Sequence, residues 1–282
     1  GHPETLLVGV RMSPAIQFAS AFLVTQVAGS LACTLLFEPL SRWLQKIAPP
    51  APEESLGQPV YLLDEALADP MLALDLVERE EQGLLQRLPA MLDDVRADVE
   101  TGAFAADTLR VAGLRICDAT RRYLAGVLES EPGRQAVMRA MRLQHVLDNL
   151  AALHEAVAEF EKAVKTTQAK AGAAVGHMVE SLHLLLEVLI DVAVSQDRSD
   201  QEMSLALLGD RRQVIEGLRA RLMSASSDAK VQEALFRSTV LFERIVWLAR
   251  DTAVTVMQSS ETSAAAESVA SEPLLAPGEA SA

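Results

Sequence analysis

The longest unbroken apolar pattern runs from Met12 to Phe37, with no charged residue between Arg11 and Glu38. About 26 residues at ~1.5 Å of helical rise reach past the ~30 Å hydrocarbon core of a bilayer. In lipid a lone segment must satisfy its own backbone, which leaves only a helix. The stretch is therefore expected to be a membrane span. A buried helix of a water-soluble core is the competing reading, kept open by Gln17 and Gln26. In a span those amides would face other helices, so this one would belong to a larger bundle.

After the span the pattern changes. Glu38-Pro39 and an amphipathic turn lead to Ala48-Pro49-Pro50-Ala51-Pro52, an extended, stiff linker. Beyond it the apolar spacing is helical, without strand alternation. Asp69-Pro70 reads as an N-cap with proline at the first helical position. A first helix then runs to about Glu100 with a kink at Pro89, and a second from Ala105 to Leu128. Ser130-Glu131-Pro132-Gly133 ends it. A third helix, residues 134–170, carries Leu143, Val146, Leu150, Leu153, Val157, Phe160 and Val164 in steps of three and four, a bundle seam. A fourth, 173–195, is apolar nearly all round from Leu184 to Val194 except at Glu187 and Asp191. Ser199 or Asp200 is expected to cap a fifth helix to Ser224, and Ser227 or Asp228 a sixth to Met257.

The fold class is thus all-α. The expected organisation is a membrane helix and its amphipathic exit (1–47), a proline-rich linker (48–58), a helical domain (59–258) of two triplets (59–170 and 171–258), and a tail (259–282). The tail is Ser-, Ala-, Glu- and Pro-rich, too poor in large apolar groups to offset its ordering entropy, and is expected to be disordered.

Composition narrows the function. A net charge of −14 over 282 residues leaves no basic stripe for phosphates, which excludes a general nucleic-acid binder. Cys33 and Cys117 are distant in sequence, so a disulfide framework is not expected and a reducing compartment fits. Arg42 and Lys46 follow the span and only Arg11 precedes it closely, which puts the C-terminal side in the cytoplasm. The chain opens Gly1-His2-Pro3, as a truncated or processed sequence would.

No nucleophile elbow, phosphate loop or cysteine–histidine pair occurs, and the chain is not read as an enzyme. Glu180 and His183 form half of a di-iron bundle motif, but no second copy exists. Acidic runs such as Glu78-Arg79-Glu80-Glu81 read as solvated helix faces. Glu187 and Asp191, one helical turn apart, read as solvated or paired with cations, or else as neighbouring acids for a metal.

The third and sixth helices echo each other weakly. Gln144-His145-Val146-Leu147-Asp148 and Glu243-Arg244-Ile245-Val246-Trp247 stand at the same point of the two triplets. This arrangement resembles the PhoU domain, a helical regulator of phosphate uptake whose third helices carry a Leu-Glu-Arg-Ile-Gly-Asp-like motif. Phe242-Glu243-Arg244-Ile245 matches its first half, and Leu143-Gln144 with Asp148 is a degraded version. Leu35-Leu36-Phe37-Glu38-Pro39-Leu40 and the linker look like the end of the membrane domain in bacterial sodium/phosphate cotransporters. Pro59-Val60-Tyr61-Leu62-Leu63-Asp64, with Pro70-Met71-Leu72-Ala73-Leu74, is similar to the start of the PhoU-like domain that follows it there.

The resemblance implies the C-terminal segment of a sodium-dependent phosphate cotransporter of the inner membrane, with a cytoplasmic PhoU-like domain regulating uptake. Sodium and phosphate would bind the remaining membrane domain, its partner; a homodimer is left open. It also implies a divalent or iron-type metal where the motif sets Glu and Asp one turn apart on a helix face. The residues left for that role are Asp148 and Glu243, with Glu187 and Asp191 as neighbouring acids. Each motif here has lost one acid, since Gln144 and Trp247 stand at the other positions, and an indole cannot ligate. The alternative function is a membrane-anchored helical interaction module in signalling.

Overall fold

The computed structural model describes residues 22–23, 26–27, 55–96, 104–195, 197–207, 217 and 229–270; the side chains of 167–174, 207, 230 and 259–270 are outside that set. The chain divides into two units, Gly1–Ala51 and Pro52–Ala282. Of the expected span, Phe22, Leu23, Gln26 and Val27 are described and helical; the rest lies outside the described residues. No helix among the described residues is long and apolar enough to cross a membrane.

Every regular element among the described residues of the second unit is helical: a 3-10 turn Asp64–Ala68, α1 Pro70–Leu85, a 3-10 helix Pro89–Val95, α2 Ala106–Glu129, α3 Arg134–Val194, α4 Arg198–Leu207 and α5 Ala229–Ala270. Asp69 caps α1 as expected, its Oδ1 accepting from Met71 N at 3.0 Å and Leu72 N at 3.3 Å. The expected kinked helix to Glu100 does not form. Proline lacks an N–H and its ring clashes with the carbonyl four residues back. For Pro89 that residue is Leu85, where α1 ends, and the chain continues as the 3-10 helix. α2 has its expected bounds within one residue. Its exit passes through Glu131 at φ 52, a left-handed turn before Pro132.

α3 departs from expectation in an instructive way. Its helical span covers 61 residues, without the separate turn expected between Lys170 and Ala173. It is not one straight rod. Arg139 binds Glu78, and the carbonyl of Ala193 accepts from Gln82 Nε2 at 3.2 Å. On a straight helix Arg139 and Ala193 would stand ~80 Å apart, yet their partners on α1 are one turn apart. Leu143 and Val146 also line the same cleft as Ala193. The span therefore doubles back. Residues 134–166 form its first arm and residues 175–194 its second.

The seam expected on the first arm is buried at every position from Leu143 to Val164. It packs along α5, where the Phe160 and Phe242 rings meet with centroids 6.4 Å apart at 51°. The second arm contributes Met178, Leu182, Leu185 and Leu189, and all these side chains join one hydrophobic core with α1 and α2. The buried side chains of α1, α2, both arms of α3 and α5 thus form one core. α4 is capped by Asp197, two or three residues earlier than expected, because Arg198 already takes the first helical position; Asp197 Oδ1 accepts from Ser199 N at 2.8 Å. α5 runs thirteen residues past its expected end at Met257, so the backbone of 259–270 is helical rather than disordered; residues 271–282 lie outside the described residues.

Candidate functional site

The run Glu78-Arg79-Glu80-Glu81 is where the structure most contradicts the solvated-face reading. Glu80 and Glu81 are 3% and 4% exposed. The carboxylate of Glu80 accepts from the backbone N–H groups of Val60 and Tyr61 at 2.9 and 2.8 Å, and so seats the incoming segment. Tyr123 secures the same segment, its hydroxyl donating to Leu63 O at 2.8 Å.

Glu81 faces the other way, into a cleft where α1, both arms of α3 and α5 meet. Glu78, Glu81, Gln82 and Leu85 line it from α1, Leu143 and Val146 from the first arm, Ala193 from the second, and Val256 from α5. Its free volume is about 20 Å³, room for roughly one water. Arg139 grips the rim, with Nη1 to Asp75 at 2.6 Å and Nη2 to Glu78 at 2.5 Å. Burial opposes the Arg139 charge, but the hydrogen bonds to Glu78 and Asp75 outweigh it and raise its pKa. With Arg139 engaged there, Glu81 Oε1 has no partner among the described residues. Burial first, then the charge of Glu78, pushes the Glu81 carboxyl well above the usual range; Arg139 offsets part of this.

A second polar contact lies one turn along. Asp251 on α5 accepts from Asn149 Nδ2 at 2.8 Å and meets His145 Nε2 at 2.8 Å, both from the first arm. The Asn149 hydrogen bond, opposed by burial and aided by His145, lowers the Asp251 pKa. The contact fixes the antiparallel register of the two helices that carry the sequence echo.

A third polar group lies deep between α2 and the first arm. His154 is fully buried, and Leu150 O accepts from its Nδ1 at 2.9 Å. Its Nε2 has no partner among the described residues. Burial depresses its pKa to about 4, Arg87 adding in the same direction, so the ring is neutral.

The residues expected to hold a metal are not brought together. Asp148 turns to α2, where Arg121 Nη2 lies 3.0 Å from its Oδ1, and Gln144 Nε2 donates to the same oxygen at 3.0 Å. Glu187 stands 3.8 Å from His183 on its own helix. Asp191 is exposed on the second arm, and Glu243 is half-buried on α5. Glu180 forms a two-pronged ion pair with Arg96, at 3.0 Å through Nε and 3.0 Å through Nη2, which rules it out as half of a di-iron motif. Among the described residues no group of three or more His, Cys, Asp or Glu is placed to hold a metal ion. The donor set does not fit a shared metal: Asp148 is paired with Arg121, Glu187 lies beside His183, and Trp247, where a second acid would be needed, is 63% exposed.

The site sequence reasoning missed is Glu81, and a signal was present. Glu81 follows Val77 by four and precedes Leu84 and Leu85 by three and four, which are core positions of α1. No protein-family model matches this chain. No curated protein and no solved structure matches it either.

Proposed function

We propose that this chain is the C-terminal segment of a sodium-dependent inorganic phosphate cotransporter, with residues 59–258 forming a PhoU-like bundle that regulates uptake. The observation that carries the reading is the pairing of the two echo-bearing helices. The first arm of α3 and α5 close the first and second triplets, and they run side by side through Phe160–Phe242 and His145–Asp251. Under this reading the pair is where the two triplets meet. The loose motifs Phe242-Glu243-Arg244-Ile245 and Leu143-Gln144 with Asp148 lie on these two helices.

Such a bundle acts without chemistry of its own. Tied to a carrier by the proline-rich segment, it biases the carrier toward one state by packing differently against each. Sodium and phosphate bind in the membrane part. The cleft at Glu81 joins both triplets, so a change there is felt by both. The test is phosphate uptake by cells carrying the full transporter with and without residues 53–282. Uptake that loses its response to phosphate supply supports the reading. Unchanged uptake and unchanged response remove it.

A membrane-anchored interaction module unrelated to phosphate is the second reading. It is favoured by the apolar side chains exposed along α5, Phe236, Val240 and Trp247. Under it, deletion of the same residues leaves uptake untouched.

A further inference from the structure

α5 has two faces. Leu235, Phe242, Ile245, Leu248 and Ala249 point into the core. The outward positions 233, 236, 240, 243, 247, 250 and 254 alternate in steps of three and four, the spacing of a helix-pairing seam. Three of them are apolar and open: Phe236 at 53%, Val240 at 43% and Trp247 at 63% exposure. Glu233 and Arg250 are exposed at its ends.

We propose that this outer face of α5 binds the same face of a second copy of the chain, antiparallel about a two-fold axis between Leu241 and Phe242. Self-complementarity argues for that occupant. With the axis there, Trp247 of one copy lies opposite Phe236 of the other, and Arg250 lies opposite Glu233. Val240 lies opposite Glu243, whose methylenes cover it while the carboxylate stays at the rim. Each contact occurs twice, as an isologous interface requires. Aromatic residues meet aromatic residues, and opposite charges meet at both ends. The parallel arrangement would instead stack Trp247 on Trp247, Glu233 on Glu233 and Arg250 on Arg250, setting like charges against each other. The proposal does not depend on the transport reading.

The test is sedimentation velocity of the full chain across a wide concentration range. The expected result is a reversible dimer that Trp247→Glu abolishes while helicity by circular dichroism is kept. Glu233→Arg alone and Arg250→Glu alone each weaken association by about tenfold, since each reverses two symmetric pairs. The double variant restores it, which misfolding could not do. A wild-type chain that stays monomeric, a dimer indifferent to Trp247→Glu, or failure of the double variant to restore pairing overturns the proposal.

Discussion

Gly113 on α2 and His154 on the first arm of α3 interlock: a Cβ added to Gly113 would sit 2.4 Å from His154 Cδ2 and 2.6 Å from Nε2. The helix crossing is as close as an absent side chain allows. The imidazole is buried on all sides, so it has nowhere to retreat. Gly113→Ala gains about 1 kcal/mol of helix propensity and loses about 1–3 kcal/mol to overpacking. A net loss is expected in urea unfolding. With His154→Ala in the background the clash is gone, and the same substitution should become neutral or stabilising. A loss of equal size in both backgrounds would show that the ring is not what the methyl meets.

The same histidine sets an acid limit on stability. Its native pKa of about 4 lies below the ordinary 6.5, so in that interval the unfolded chain binds a proton the folded one refuses. Stability is full above 6.5 and falls as pH drops toward 4. The loss attributable to this group is about 3 kcal/mol when complete. Unfolding curves of the wild type and His154→Leu at pH 7, 5.5 and 4 should converge in part as pH falls. Parallel curves would place the titration elsewhere.

The helices and the core were largely legible because both follow from spacing. Leu143 to Val164 repeat in threes and fours, and all are buried; the Asp69-Pro70 cap is written in two adjacent residues. The end of α1 was misread because Pro89 acts backwards, on Leu85. The polar interior was least legible. Glu80 and Glu81 look like solvated acids beside Glu78 and Arg79, and only their partners, the Val60 and Tyr61 amides and the cleft, reveal otherwise. Asp148 was read as a metal ligand in a motif whose other acid Gln144 replaces, whereas it pairs with Arg121 on another helix. Pairings across helices are not encoded in local spacing.

Glu81 should behave in the opposite sense to His154. Its folded pKa is raised, so the stability it contributes is present below the ordinary carboxyl value of 4.5 and is lost as pH rises through the folded pKa. At neutral pH the site therefore bears a cost that an uncharged isostere avoids. Glu81→Gln is expected to raise the thermal midpoint at pH 7, with the gain shrinking below pH 4.5. Glu78→Gln should shift the midpoint differently, because it also removes the Arg139 ion pair at 2.5 Å. Equal responses of the two variants at both pH values would contradict the burial argument.

The doubling back of α3 makes a distance prediction that separates two very different molecules. Met141 on the first arm and Val194 at the end of the second are both exposed, at 62% and 53%, and accept spin labels without disturbing the core. A straight helix would hold them ~80 Å apart at 1.5 Å per residue. Antiparallel neighbours have axes only about 8–10 Å apart, and the contacts of Gln82 with Ala193 and of Arg139 with Glu78 bring these two positions to the same end of the bundle. Met141→Cys with Val194→Cys, in a Cys33→Ser background, isolates the pair. Native Cys117 is buried, and burial pushes its thiol pKa up to about 12, so it stays unlabelled. Pulsed electron–electron resonance should return a short distance, and mixing with unlabelled chain removes any contribution between copies. A distance near the straight-rod value would dissolve the cleft at Glu81 and the shared core with it.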